Sequence, residues 1–100
     1  MACEGGVIPL NRTEAEVLLE QVNGWRLSEN EKTITKYFAF KDFAQALSFV
    51  NAVGAIAEEE GHHPDIELSW GKVKVSLTTH AIKGLSENDF ILAAKIDRIG

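Results

Sequence analysis

An α+β domain of αββαββα order is the fold this sequence predicts, with a four-stranded antiparallel sheet and helices packed on one face. Three observations lead there. Apolar residues recur at helical spacing in three segments, they alternate with polar residues in two pairs of short segments, and a short polar or glycine-containing turn joins each pair. The αββ unit occurs twice with little residue identity, so it is a repeat of structure and not of sequence.

Thr13 followed by Glu16 is a capping-box signature, and Ala15, Leu18, Leu19 and Val22 then keep helical spacing until Gly24. The first helix is expected over residues 14–23. Residues 25–27 and 33–40 are rich in β-branched and aromatic side chains around a polar turn, and they read as a hairpin. Asp42 with Gln45 opens a second helix, along which Phe43, Ala46, Leu47, Val50, Val53, Gly54 and Ala57 form a stripe. It ends at Gly61, and Pro64 cannot continue it.

Ile66, Leu68 and Trp70 then alternate with polar residues, as do Val73, Val75 and Leu77, which gives a second hairpin with its turn at Gly71-Lys72. That turn sets Trp70 opposite Val73, Leu68 opposite Val75 and Ile66 opposite Leu77, so apolar residues meet apolar residues throughout. Ser86 with Asp89 caps a last helix, which carries Leu92, Ile96 and Ile99 on one side and Phe90, Ala93 and Ala94 on another. A helix apolar on two sides predicts a contact between copies of the chain.

Length and composition narrow the function. At 100 residues, with 45% hydrophobic and 25% charged side chains, the sequence reads as one globular domain over residues 1–100, with residues 1–9 expected to be disordered. Its 15 acidic and 10 basic side chains leave a net charge of −5, which argues against direct binding of nucleic acid. Cys3 is the single cysteine, so neither an internal disulfide nor a paired-cysteine zinc site is available. The opening residues carry Glu4 where a secretory peptide needs positive charge, and no apolar run reaches the ~18 residues of a membrane span. The expectation is a soluble cytoplasmic protein with no membrane contact.

All three histidines fall between 62 and 80. Extending the hairpin register brings His63 opposite His80, on a face shared with Glu67, Ser76 and Thr78, with His62 one residue away. Imidazole titrates near neutrality, so such a group can hold a proton donor and a proton acceptor together, as addition or elimination of water requires. His62 follows the C-terminus of the second helix, where the dipole and Glu58, Glu59 and Glu60 favour the imidazolium and raise its pKa. The three glutamates are unfavourable at that helix end unless a nearby cation offsets them. For an isolated His-His pair a capping role is the simpler reading, but a third histidine in register favours a site. Adjacent histidines seldom reach one ion, so no metal is expected. Trp25 and Trp70 read as core or hairpin aromatics first and as stacking partners for a planar ligand second.

Glu58, His62-His63-Pro64, Trp70, His80 and Asp89, at their spacing in this chain, resemble the signature of the pterin-4a-carbinolamine dehydratases. The resemblance extends through Gly24-Trp25, residues 38–43 and Gly84-Leu85-Ser86, and so covers residues 10–99. It implies the αββαββα fold, assembly as a homodimer or homotetramer through helices, and no metal or organic cofactor. The implied reaction is dehydration of the 4a-hydroxytetrahydropterin left by aromatic amino acid hydroxylases. By position, His62 and His80 match the family's acid-base histidines and His63 the residue that binds and orients the pterin. Pro64, Thr78 and Thr79 would line the pocket, and Glu58 and Asp89 would support the histidines. Gly61 stands where an acidic residue is common in animal members, and Ile66 where a tryptophan is.

The resemblance also carries a second class of function, since animal members act as dimerisation cofactors of a homeodomain transcription factor, with room for a nuclear pool. A third reading is a pterin-related role such as molybdopterin metabolism. Three histidines in register serve an enzyme and not an adaptor, so the dehydratase is the expectation.

Overall fold

A computed structural model describes residues 8–99. Its elements are α1 (Arg12–Leu19), β1 (Arg26–Leu27), β2 (Ile34–Ala39), α2 (Phe43–Glu60), β3 (Asp65–Ser69), β4 (Lys72–Leu77), a 3-10 turn η1 (His80–Ile82) and α3 (Glu87–Asp97). The strands form one antiparallel sheet in the order β1-β2-β4-β3. This is the α+β fold expected. Expected disorder at residues 1–7 lies outside the described residues, whereas Leu10 already donates its N–H to Leu85 O at 2.8 Å.

Strict alternation in β4 buries Val73, Val75 and Leu77 and turns Lys72, Lys74 and Ser76 away from the helices, as period-two side chains on a one-sided sheet must. Ile34 and Phe38 of β2 face Leu77 and Val73 across the ladder. Above them α2 contributes Ala46, Phe49 and Val53, with the Phe49 ring 4.6 Å from that of Phe38 and 5.0 Å from that of Phe40. Asp42 caps α2 by accepting from the Gln45 N–H at 2.9 Å, as its spacing predicted.

Helix α1 departs from expectation at both ends. Its cap is Asn11 and not Thr13: Asn11 Oδ1 accepts from Glu14 N at 2.8 Å, and Glu14 Oε1 accepts from Asn11 N at 3.0 Å. The helix stops at Leu19, after which Gln21 N donates to Leu18 O at 3.0 Å and Val22 N to Leu19 O at 3.2 Å in tighter local turns. Asp97, at the end of α3, accepts from Trp25 Nε1 at 3.1 Å and from Lys36 Nζ at 2.9 Å, while Lys36 also reaches Asn23 O at 2.6 Å. Trp25 is thereby a core residue, 5% exposed.

The second hairpin forms with a different register. Ile66 faces Val75, Leu68 faces Val73 and Ser69 faces Lys72, so the turn is Trp70-Gly71 and the pairing slips by two residues from the one expected. Gly71 explains the shift. Its carbonyl accepts from Phe40 N at 2.8 Å, and a Cβ on it would stand 3.0 Å from Phe40 O, so the turn is anchored at a close approach that favours glycine. A slip of two keeps every side chain on its face, which is why the alternation cannot detect it. His63 and His80 are consequently not cross-strand partners. Trp70 is 68% exposed and lies at the opposite end of β3 from the histidines.

Helix α3 corrects the two-sided reading. Phe90, Leu92, Ala93 and Ile96 are all buried within the single chain, so these four need no partner, while Ala94 and Ile99 are half-buried. The exposed apolar residue is Ile91. Lys95 of α3 supplies the cation expected near the glutamates, in an ion pair with Glu60 that ties the ends of α2 and α3 together. The hydrogen bond and charge of Lys95 hold the Glu60 carboxyl below its ordinary value of 4.5. Among the described residues no helix is long and apolar enough to cross a membrane.

Two outcomes follow. Leu92→Lys and Phe90→Lys should each destabilise by about 4 kcal/mol or more, because each buries an unpaired charge, whereas Ile91→Lys should stay within about 0.5 kcal/mol in denaturant titration. A depressed carboxyl stabilises the fold above its unfolded value and stops doing so as pH falls through the folded value. Lys95→Met should therefore be less stable than wild type at pH 7, and the gap in thermal midpoint should close below pH 4.5.

Candidate active site

The C-terminal turn of α2 sets the direction of two histidines. Gly61 is left-handed, at φ 66° and ψ 30°, and its N–H donates to Glu58 O while that of His62 donates to Ala57 O. This is the Schellman closure that a glycine after a helix permits. A Cβ there would meet nothing within 4 Å, so the backbone angle and not space is what favours glycine. The chain then turns inward at His62, which is 7% exposed, and outward at His63.

His62 Nε2 lies 2.5 Å from Asp89 Oδ1. Asp89 is wholly buried in the first turn of α3, and its Oδ2 accepts from Thr79 Oγ1 at 2.8 Å and from Ser86 N at 2.9 Å. Thr79 Oγ1 also lies 2.9 Å from Ser86 Oγ. These four residues are the buried polar or charged side chains of the described chain, and all four belong to one network. Burying a carboxylate is costly unless its oxygens are paired, and here both are, with no buried side-chain N or O left unpartnered among the described residues.

His63 Nε2 lies 2.5 Å from Glu58 Oε2, but the side chains are 62% and 78% exposed, so the pair contributes little to stability. The glutamate run thus serves His63 through Glu58 and Lys95 through Glu60, while the partner of His62 is Asp89. His80 is exposed at the first position of η1 and follows Thr79 directly. Thr79 N donates to Gly84 O at 2.9 Å, and Lys83 N to His80 O at 3.1 Å, which closes the tight turn carrying His80. Pro64 is half-buried between His63 and β3.

The network therefore joins the end of α2, the segment after β4 and the start of α3. It brings together His62, Thr79 and Asp89, with His80 adjacent in the chain, and sets Glu58 on His63. The hydroxyls of both threonines are engaged by protein, Thr78 on Lys32 O and Thr79 on Asp89. Ile66 is half-buried and packs against the core. Ser86 was legible only as a helix cap, since a serine three residues before an acid does not foretell that the acid is buried. Among the described residues no group of three or more His, Cys, Asp or Glu side chains could hold a metal ion.

Chemically, a carboxylate on one ring nitrogen orients an imidazole and stabilises its protonated form. With the proton on Nε2 held by Asp89, a neutral His62 carries its lone pair on Nδ1. An imidazole held in this way is suited to proton transfer, and His80 directly follows Thr79 of the same network in the chain.

Comparison with known proteins gives a consistent result. The model of the family described as pterin 4 alpha carbinolamine dehydratase matches residues 8–99. A protein of Halorhodospira halophila provisionally named for that activity is 52% identical over 98 residues, covering 98% of this chain and 90% of its own. One from Cupriavidus pinatubonensis, named in the same way, is 50% identical, covering 97% of this chain and 84% of its own. Among solved structures, a transcriptional coactivator/pterin dehydratase from Brucella melitensis superposes with a TM-score of 0.86 at 33% identity, over 91% of this chain and 97% of that one. A pterin dehydratase-like protein identified as a RuBisCO assembly factor of the alpha-carboxysome gives a TM-score of 0.67 at 31% identity, over 77% of this chain and 89% of that one.

Proposed function

The chain belongs to the pterin 4 alpha carbinolamine dehydratase family, and we propose that it is a working hydro-lyase, converting 4a-hydroxytetrahydrobiopterin to quinonoid dihydropterin and water. The observation that carries this reading is the buried His62-Asp89-Thr79 network with His80 next to it in the chain. An interior that otherwise excludes polar groups has accepted a carboxylate and an imidazole at one place, which a purely structural or adaptor role does not require.

The reaction breaks the C4a–O bond and forms a double bond between C4a and N5. The departing hydroxyl needs a proton so that it leaves as water, and N5 must lose one. His62, held by Asp89, and His80 are the acid and base of this reading. His63, on the surface and steered by Glu58, binds and orients the pterin with Pro64 and Thr78 around it, while the family resemblance adds Thr79 to that lining. No metal or organic cofactor takes part. The product is the form that a reductase returns to tetrahydrobiopterin, so a role in pterin recycling, in the cytoplasm, belongs to this reading.

Self-association through helices belongs to the same reading, supported by the exposed Phe43 and Leu47 of α2 and by Val17 and Ile91 of α1 and α3. The alternative of a protein-interaction module, acting as dimerisation cofactor of a transcription factor, rests on what two structural relatives are said to do, as a transcriptional coactivator and as a RuBisCO assembly factor. It explains the exposed apolar residues but not the buried network.

His62→Ala and His80→Ala should each lower the dehydration rate by about 10²-fold or more, the scale of lost general acid-base help. The assay follows ultraviolet absorbance of a 4a-hydroxytetrahydropterin. Wild-type protein that gives no acceleration over buffer would sink the enzyme reading.

A further inference from the structure

We infer that Thr79 and Ser86 are positioning residues that fix the tautomer and the orientation of His62 through Asp89, in place of the pocket-lining role that the family resemblance suggests for Thr79. The inference rests on the dehydratase reading for its kinetic consequences but not for its structural one.

Proton counting gives the network a direction. Thr79 has one hydroxyl proton, and its geometry to Asp89 Oδ2, at 2.8 Å, makes it the donor there. In the 2.9 Å contact between Thr79 Oγ1 and Ser86 Oγ the serine hydroxyl must then donate. The Ser86 backbone N–H donates to the same Oδ2 at 2.9 Å. These donors thus point towards Asp89 Oδ2, and aligned hydroxyls of this kind polarise one another. With Oδ2 taken by two donors, Oδ1 is the oxygen presented to His62 Nε2.

A carboxylate accepts and cannot donate, so the proton of that contact sits on Nε2 in the neutral ring. Thr79 is 2% exposed and Asp89 wholly buried, so water is poorly placed to replace a lost hydroxyl. Without the Thr79 donor only the Ser86 N–H holds Oδ2, so the carboxylate is less firmly fixed in the orientation that presents Oδ1 to His62 Nε2 and selects its tautomer. The two roles for Thr79 separate in kinetics: a pocket-lining hydroxyl acts on substrate affinity, whereas a positioning one acts on turnover.

The experiment uses the full chain with Thr79→Val, which keeps shape and removes the hydroxyl, with Thr79→Ser, which restores it, and with Ser86→Ala. Nitrogen-15 spectra of the histidines in substrate-free protein should show the Nε2-protonated form of His62 in wild type and in Thr79→Ser. A mixture of tautomers is expected in Thr79→Val. Turnover in Thr79→Val should fall about tenfold with KM nearly unchanged, the scale of lost outer support for a catalytic imidazole, and Thr79→Ser should recover it. Ser86→Ala should show a smaller change of the same kind and serves as the test if Thr79→Val does not fold. A Thr79→Val protein with an unaltered His62 tautomer, or one that raises KM at constant turnover, overturns the inference. Inactive wild type with the expected tautomer pattern would overturn the dehydratase reading alone.

Discussion

A single buried carboxylate organises the functional end of this molecule. Asp89 sits in the first turn of α3 with no exposure, and each of its contacts comes from a different part of the chain: His62 from the end of α2, Thr79 from beyond β4, and Ser86 from the cap of its own helix. A charge in that position is tolerable only while all of those partners stay in place. The requirement couples three chain segments that hydrophobic packing alone would leave free to shift by a fraction of an ångström. Placement on this scale is what acid-base chemistry depends on.

The remaining architecture serves that coupling. α2 ends in a glycine closure that cannot drift, because the left-handed residue and its two hydrogen bonds fix the exit direction of the chain. The central strand β4, buried on its helix side, delivers Thr79 at the end of the ladder. At the far end of α3, Asp97 holds Trp25 and Lys36, so the helix that carries Asp89 is pinned at both termini by carboxylates. Between them its apolar residues are covered on two sides within one chain, which makes α3 a poor candidate for movement.

The relatives share this fold while being described in different ways, as dehydratases, as a coactivator and as a RuBisCO assembly factor. A fold of this kind therefore does not by itself name an activity. The distinction lies in side chains, and here the polar interior is the informative one. Exposed apolar residues are ordinary on any domain surface, whereas four polar residues buried together need a reason.

Much of this was legible in the sequence for local reasons. The Asp42 cap, the Gly61 stop and the alternation of β4 rest on propensities and spacings that one chain segment can express alone, whereas Glu58 and Asp89 were singled out by the family resemblance and His80 by a hairpin register that does not form. Tertiary structure decided the rest. Two registers of the β3–β4 hairpin that differ by two residues give the same inward and outward faces, so the choice falls to long-range contacts such as that of Gly71 with Phe40. The partition of α3 likewise depended on how many neighbours reach it, which its own periodicity does not encode. The pairing of His62 with Asp89 joins residues 27 positions apart on elements whose relative placement is a property of the packed core. Spacing along a chain fixes local geometry, whereas burial and long-range hydrogen bonds exist only once the elements have packed together.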